Sequence, residues 1–459
     1  MSLDLDAADL RAADVPATEV RAGADPLHAY LRFDAAAASR GGIPLDATIE
    51  SRFAGAPAGT QERVADAVGA LRPELVALAT DLYEHPEIGF EEVYSSGRIA
   101  DLLTAHGAEV ERGAYGLPTA FRASTGVGGP HFAIIAEYDA LPGVGHACGH
   151  NIIAAQAVGA FLAAAPLVAG IGGRLSIIGT PAEEGGAGKE LVIRAGGFDD
   201  VDAAAMVHPG GGDSVSPVYG GGTSGVRRVA VTYRGRAGHA ALSPYLGLNA
   251  LDAVVTAYQG VAQLRQHILP VDRIHGIITD GGAAANVVPE RASAEFLVRS
   301  TEVETLNVLT DRVIDILQAA ALSTGTRAEL DVDFEPPYLP LRPNIELQKR
   351  WAGALTAQGR TVPVRPAVSR QGGPSTDMGN VSQFIPAIHP ALGLGAAPDV
   401  LPHNAAFADA TILPPAFAAL IDGAVGLAVT ALDFLADPAL RAAVAEEFRA
   451  AGGRYRWEG

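Results

Sequence analysis

Cysteine is nearly absent, with one residue in 459. No disulfide can form within the chain, so the fold does not depend on an oxidising compartment. Positive charge is also scarce: 33 Lys plus Arg stand against 52 Asp plus Glu, a net charge of −19. No segment is strongly basic. Phosphate contacts need a Lys/Arg surplus on at least one face, which excludes a nucleic-acid partner. The first residues, MSLDLDAADL, are acidic and lack the positive n-region and apolar h-region of a signal peptide. A cytoplasmic address is the expectation. The longest apolar run, residues 152–173, approaches membrane-span length but carries Gln156 and Pro166 and follows a polar, His-rich loop. It is expected to be a buried helix, with no membrane partner.

What is present is the material of a large globular protein. The hydrophobic content of 48% excludes disorder as the whole account, and the length predicts two to three domains. Residues 1–60 are rich in Ala, Asp, Gly and Pro, with short amphipathic pieces such as Asp25 to Phe33, and are expected to be an extension that packs loosely or caps a domain. From Glu62 to Leu82, Val64, Val68, Leu71, Leu75, Leu78 and Leu82 recur at helical spacing. They predict an amphipathic helix, kinked or broken at Pro73.

His131 to Glu137 (HFAIIAE), Arg174 to Gly179 (RLSIIG) and Ala203 to Val207 (AAAMV) are short apolar runs, and a long helical stretch separates the first two. Continuous apolar strands alternating with helices predict an α/β domain whose sheet is covered on both faces. Ligands collect at the carboxyl ends of such strands. Beyond Gly220 the pattern becomes β-α-β-β-α-β, which predicts an inserted ferredoxin-like α+β domain. The expected boundaries are 61–217 for the first part of the catalytic domain, 218–335 for the insert and 336–459 for the second part. That second part ends in an Ala-rich helix from about Pro415 to Leu435 and a tail.

The chemistry gathers at the ends of the apolar runs. Gly145-His146-Ala147-Cys148-Gly149-His150-Asn151 places two histidines and the only cysteine within five residues, and thiolate and imidazole are transition-metal ligands. Glu183 and Glu184 follow the second run, flanked by glycine and without an adjacent basic partner. Such a pair repels unless something positive holds it or one member is protonated. His208-Pro209-Gly210 follows the third run, and His403 lies in the C-terminal return. Cys148, His150, Glu184, His208 and His403 together exceed the four donors of a closed structural zinc site, which suggests two metal ions. Two ions about 3.5–4 Å apart share a water, lower its pKa and clamp an oxyanion, while a neighbouring carboxylate moves the proton.

Five blocks carry a family resemblance: HPEIGFEE (residues 85–92), EYDALPGVGHACGHN (137–151), GTPAEEGG (179–186), MVHPG (206–210) and GHAALSP (238–244). In this order they resemble the dinuclear-metal aminoacylase and carboxypeptidase family, which includes auxin-conjugate amidohydrolases, N-acyl amino acid deacylases and p-aminobenzoyl-glutamate hydrolase subunits. The resemblance runs from about residue 70 to about 435. It implies a metal-dependent exopeptidase-like catalytic domain, a mixed sheet sandwiched by helices, with the insert as a lid and dimerisation domain. It also implies that Cys148, His150, Glu184, His208 and His403 bind two divalent ions, Zn, Mn or Co, and that Glu183 is the general base and acid. His239 resembles the family histidine that reaches the other subunit's active site to stabilise the oxyanion. Asn286 and Arg299 resemble positions that touch the substrate's carboxylate or amide oxygen.

Asn151, where the auxin-conjugate branch commonly has Asp, and the segment 373–382 resemble the branch of p-aminobenzoyl-glutamate hydrolase subunits and β-alanyl-lysine dipeptidases. On that basis Asp377 is expected to bind substrate or to support the groups that do. Glu137 occupies a place where many relatives carry a histidine ligand. The activity implied is hydrolysis of an N-acyl amino acid or small dipeptide-like amide that carries a carboxylate, through a metal-bridging hydroxide. A homodimer through the insert is expected, with a homologous partner chain as the alternative. Two further readings stay open: a cysteine hydrolase using Cys148 with His150, and a catalytically silent binding or regulatory homologue.

Overall fold

The computed structural model describes residues 23–40, 48–220, 222–364, 373–397 and 399–457. Helix α1 (Leu27–Arg40) packs on the inserted domain. Arg312 donates to the Tyr30 hydroxyl at 3.0 Å, and the Ala24 N–H donates to Asp315 at 2.7 Å. The segment 48–59 crosses to the catalytic domain, where the Ala56 N–H donates to Asp433 at 2.7 Å and the Gly55 N–H to Asp437 at 3.0 Å. The described part of the extension therefore touches both domains.

Helix α2 (Thr60–Glu84) buries Val64, Val68, Leu75, Leu78 and Leu82, the stripe its periodicity requires. The expected break at Pro73 does not occur, and the helix runs through it. Pro73 and Gly69 both lie on the exposed face, so the carbonyl that loses its i+4 donor to the proline can turn to water instead.

Next come α3 (Val93–Ala105), β1 (Val110–Arg112), β2 (Phe121–Val127), β3 (His131–Glu137), α4 (His150–Ile171), β4 (Gly173–Thr180), α5 (Gly188–Arg194), β5 (Ala203–Ala205) and β6 (His208–Gly210). Strand β3 pairs in parallel with β4 on one side and β5 on the other, and β2 and β1 extend the sheet antiparallel. Period-2 alternation sends Phe132, Ile134 and Ala136 to one face, against α2 and α4, and Ala133 and Ile135 to the other. Both faces are covered, which accounts for the unbroken apolar strands.

The insert contains β7 (Gly225–Arg234), β8 (Gly238–His239), α6 (Ala250–Leu264), β9 (Arg273–Asp280), β10 (Val287–Val288), β11 (Arg291–Ser300), α7 (Val303–Thr324) and β12 (Arg327–Val332). Its antiparallel sheet has the order β12-β7-β11-β9, the ferredoxin-like arrangement. One sheet face packs on α6 and α7 through Val229, Val231, Tyr233, Phe296 and Val298 against Val254, Val261, Leu309 and Val313. Where the chain leaves and re-enters the catalytic domain, Val226 and Tyr338 exchange backbone hydrogen bonds of 2.7 and 3.1 Å.

The return comprises α8 (Ile345–Ala357), α9 (Met378–Phe384), β13 (Ala387–Ile388), β14 (Ala391–Gly393), α10 (Ala405–Ala410), α11 (Pro414–Ala436) and α12 (Pro438–Ala450). Strand β13 joins β5 in parallel and completes a six-stranded mixed sheet, and α9 covers its second face with α5. Helices α4 and α11 are long and apolar enough to cross a membrane, but both pack against each other and α2 in the core.

Candidate metal centre and active site

The carboxyl ends of β3, β4 and β5 lie side by side, and each feeds the site. Glu137 ends β3, and Glu183 and Glu184 follow β4. His208 opens β6 three residues after β5. His150 is the first residue of α4, and the preceding Gly149 is left-handed at φ 81°. A Cβ on Gly149 would lie 2.8 Å from Cγ of Pro209, so glycine lets the Cys148–His150 loop close on the His208 loop. His403 comes from the other end of the chain. Its N–H donates to the carbonyl of Ala147 at 2.8 Å, and its backbone is left-handed at φ 70°.

This brings all five expected donors together. Cys148 Sγ is 3.4 Å from His208 Nε2 and 3.6 Å from His403 Nε2. His150 Nε2 is 3.7 Å from Glu184 Oε1, and Glu184 Oε2 is 3.9 Å from His403 Nε2. Among the described residues, two donor groups able to hold a metal share Cys148: one adds His150 and His208, the other Glu184 and His403. A third group joins Glu137, His150 and Glu183. Glu137 Oε1, His150 Nε2 and Glu184 Oε1 are buried without a hydrogen-bond partner. Converging, unpaired donors of this kind fit a divalent cation, which would satisfy them together. The His403 side chain is 62% exposed, so the cluster opens to solvent on that side.

Other residues fix the donors. His150 Nδ1 is 3.1 Å from Asp139 Oδ1, and Asp139 Oδ2 accepts the Glu184 N–H at 2.9 Å. One carboxylate thus orients an imidazole and the acidic loop, presenting Nε2 to the cluster. His208 Nδ1 donates to the Pro209 carbonyl at 2.6 Å, which leaves its Nε2 lone pair facing Cys148. Lys189, fully buried, lies 2.5 Å from Glu137 Oε2 and 2.7 Å from Asp377 Oδ1. Burial opposes the charge on Glu137, but Lys189 together with His150, His389 and His208 outweighs it and draws that carboxyl down to about 2. Burial, with Glu137 and Asp377 nearby, pushes the Glu183 carboxyl well above its ordinary value. Burial likewise pushes the Cys148 thiol up, which is the opposite of the thiolate a cysteine nucleophile needs.

The remaining expected residues divide. Asp377 is fully buried and turned to Lys189, with Oδ2 also accepting the Lys189 N–H at 2.9 Å. Its contacts are with that lysine rather than with open space where a substrate would lie. Arg299, on β11, donates to Ser375 Oγ at 2.7 Å and buries its Nε without a partner. His239 and Asn286 are exposed beside each other where β8 meets β10, and the His239 ring accepts the N–H groups of Ala241 and Leu242. Asn151 donates to the Ala79 carbonyl and to Thr411, both at 3.0 Å, and an aspartate could not make the first of these contacts. Sequence reasoning missed Asp139 and Lys189. Lys189 had a signal, because it and Lys349 are the only lysines in the chain.

Comparison with known proteins meets this geometry. Residues 221–325 match the family model described as a peptidase dimerisation domain. The chain is 34% identical over 407 residues to the Xaa-Arg dipeptidase of Mus musculus, covering 85% of this chain and 92% of that one. It is 37% identical over 298 residues to one of the p-aminobenzoyl-glutamate hydrolase subunits of Escherichia coli (strain K12), covering 60% of this chain and 61% of that one. In fold it resembles the YXEP protein of Bacillus subtilis, described as a dinuclear metal binding peptidase from the M20 family. The TM-score is 0.60 at 22% identity, over 78% of this chain and 98% of that one. The site and fold are those of an amide-bond hydrolase. The chain belongs to the M20 peptidase family.

Proposed function

We propose that the protein is a metal-dependent amidohydrolase that cleaves an N-acyl amino acid or small dipeptide-like amide. The observation that carries this reading is the convergence of Cys148, His150, Glu184, His208 and His403, with three buried donor atoms that have no hydrogen-bond partner, at the strand ends beside Glu183. Two divalent ions bound there would supply Lewis acidity, polarising the scissile carbonyl and lowering the pKa of a water. The donor set accepts Zn, Mn or Co alike.

The chain's own groups do the rest. Glu183 takes the proton of the attacking water on its carboxylate and hands it to the leaving nitrogen. An upward-shifted carboxyl suits a group that must hold that proton between the two steps. Asp139 keeps the His150 ring turned so that Nε2 faces the cluster. Lys189 and Asp377 fix Glu137, and we assign Asp377 to that positioning task. Arg299, whose buried Nε lacks a partner, and Asn286 hold the substrate's carboxylate or amide oxygen.

His239 acts on the active site of a second copy. Strand β9 is a sheet edge with Ile277 and Ile278 exposed, and it adjoins α6, where Val255 is also exposed. Such an edge offers unpaired backbone groups to another chain, and the match to a dimerisation domain supports a homodimer through the insert. Similarity to a subunit of p-aminobenzoyl-glutamate hydrolase supports a second reading, in which the partner is a homologous chain. A reduced Cys148 serving as a donor agrees with a cytoplasmic address.

The test is amine release from N-acyl amino acids, dipeptides and p-aminobenzoyl-glutamate by metal-replete protein, with and without a chelator. Chelator-sensitive release from one class is expected. Release that a chelator leaves unchanged, or none across the panel, contradicts the reading.

A further inference from the structure

We infer that Glu92, the last residue of the segment HPEIGFEE, is a positioning residue that sets the backbone of the loop carrying Glu183; this rests on the role proposed for Glu183. Glu92 stands at the N-terminal end of α3, where a side chain ordinarily caps the helix. It does not cap α3. Its carboxylate is instead completely buried and turned inward, accepting the Ala182 N–H on Oε1 at 2.8 Å and the Thr119 hydroxyl on Oε2 at 2.9 Å.

Ala182 immediately precedes Glu183 and is left-handed, at φ 56°. A residue with a Cβ holds that conformation only where its surroundings over-determine it. The surroundings here are the same segment. A Cβ on Gly89 would lie 2.9 Å from Cβ of Ala182 and 3.2 Å from the Gly185 carbonyl oxygen, so only glycine allows the loops to lie this close. The Phe90 ring covers Gly186. The segment also reaches the other acidic loop: the Ala140 N–H donates to the Glu87 carbonyl at 2.7 Å. The Thr119 carbonyl accepts the hydroxyl of Tyr138, which lies between Glu137 and Asp139, at 2.5 Å. Residues 87–92 therefore brace both loops that carry the site's carboxylates.

Two donors, an amide N–H and a hydroxyl, converge on one buried group, and a carboxylate offers acceptors alone. Glutamine preserves both contacts, because its carbonyl oxygen can take the Ala182 N–H while its NH₂ donates to the Thr119 oxygen. Methionine preserves neither. Cys148, His150, His208 and His403 sit on other loops, and Glu184, the one donor on the braced loop, is held separately through its N–H by Asp139 at 2.9 Å, so metal content is expected to survive the loss of the brace while the placement of Glu183 does not.

The experiment compares Glu92→Met, Glu92→Gln and Thr119→Val in the full chain. It measures metal content, kcat, KM and amide hydrogen exchange across residues 180–187. For Glu92→Met the expected result is a kcat lower by about 100-fold, the scale of an ångström-level misplacement, with KM and metal content near the parent and faster exchange in the loop. Glu92→Gln should restore kcat and exchange to near parent values. Thr119→Val, which removes one donor, should lower kcat by about tenfold on the same scale, and it carries the test if Glu92→Met does not fold. Parent-like kcat and exchange in Glu92→Met would overturn the inference, as would equal impairment of the Gln and Met variants, or loss of metal in step with activity. The exchange readout decides the brace even if the parent cleaves no amide, so the two readings fail separately.

Discussion

Lys189 and Glu137 form a completely buried ion pair, Nζ to Oε2 at 2.5 Å, and that pair determines which oxygen of Glu137 faces the donor cluster. Oε2 is turned to the lysine, leaving Oε1 at 3.3 Å from His150 Nε2. Asp377, 188 residues away in sequence, completes the set from the N-terminal end of α9.

Removing one partner of a buried pair strands the other charge, at a cost of about 3–5 kcal/mol. Lys189→Met strands two, Glu137 and Asp377. The expected outcome is a loss of stability of at least that size in chemical unfolding, with a lower metal affinity. Unfolding at the parent midpoint would show that the carboxylates find other compensation.

His239 makes local bonds on the exposed two-stranded β8–β10 pairing, so its proposed contribution must come through a second copy. His239→Ala should reduce turnover with metal content unchanged. Mixing refolded His239→Ala with an inactive Glu183 variant should restore roughly a quarter of the parent activity, because half the dimers are then mixed and each mixed dimer holds one complete site. No recovery on mixing would remove His239 from the partner's site.

Asp272 gives the insert a pH-dependent stability. One of its oxygens accepts the Leu269 N–H at 3.1 Å, the other is buried without a partner, and burial pushes the carboxyl up to about 6. A carboxyl raised in the fold favours the protonated state. Its stabilisation is fully present below the unfolded value of 3.8 and is lost as pH rises through about 6. Asp272→Asn carries no charge to bury, so it should raise stability at pH 7 to 8 by up to about 3 kcal/mol and leave it unchanged near pH 4. Parallel curves of unfolding midpoint against pH for the two proteins would contradict this.

Much of the fold was legible because its elements bury what their periods predict. Strands covered on both faces read as unbroken apolar runs, and the insert's strands and helices alternate cleanly along the chain. Cys148, His150, Glu184 and His208 were legible because they follow such runs, at the end where a parallel sheet collects ligands, whereas His403 follows none and was legible through the family resemblance alone. A kink or break was expected at Pro73 because proline removes an i+4 hydrogen bond, yet the apolar stripe that predicts the helix also puts Pro73 on the opposite, solvent-facing side, and the helix runs through it. The Lys189, Glu137 and Asp377 cluster was illegible for another reason: its members come from β4's following helix, β3 and α9, and only tertiary packing shows that they neutralise one another. His239 and Asn286 lie 47 residues apart, joined by the short β8–β10 pairing, which carries almost no sequence signal.

The central claim is that Glu183 moves the proton while its neighbours hold the metals, and Glu183→Gln tests it most directly. The account predicts that turnover of the best amide substrate is lost while the variant keeps the parent's metal content. Ions departing with the substitution would make Glu183 a ligand, and turnover persisting with both ions bound would deny it the proton-transfer role; either result would contradict the account.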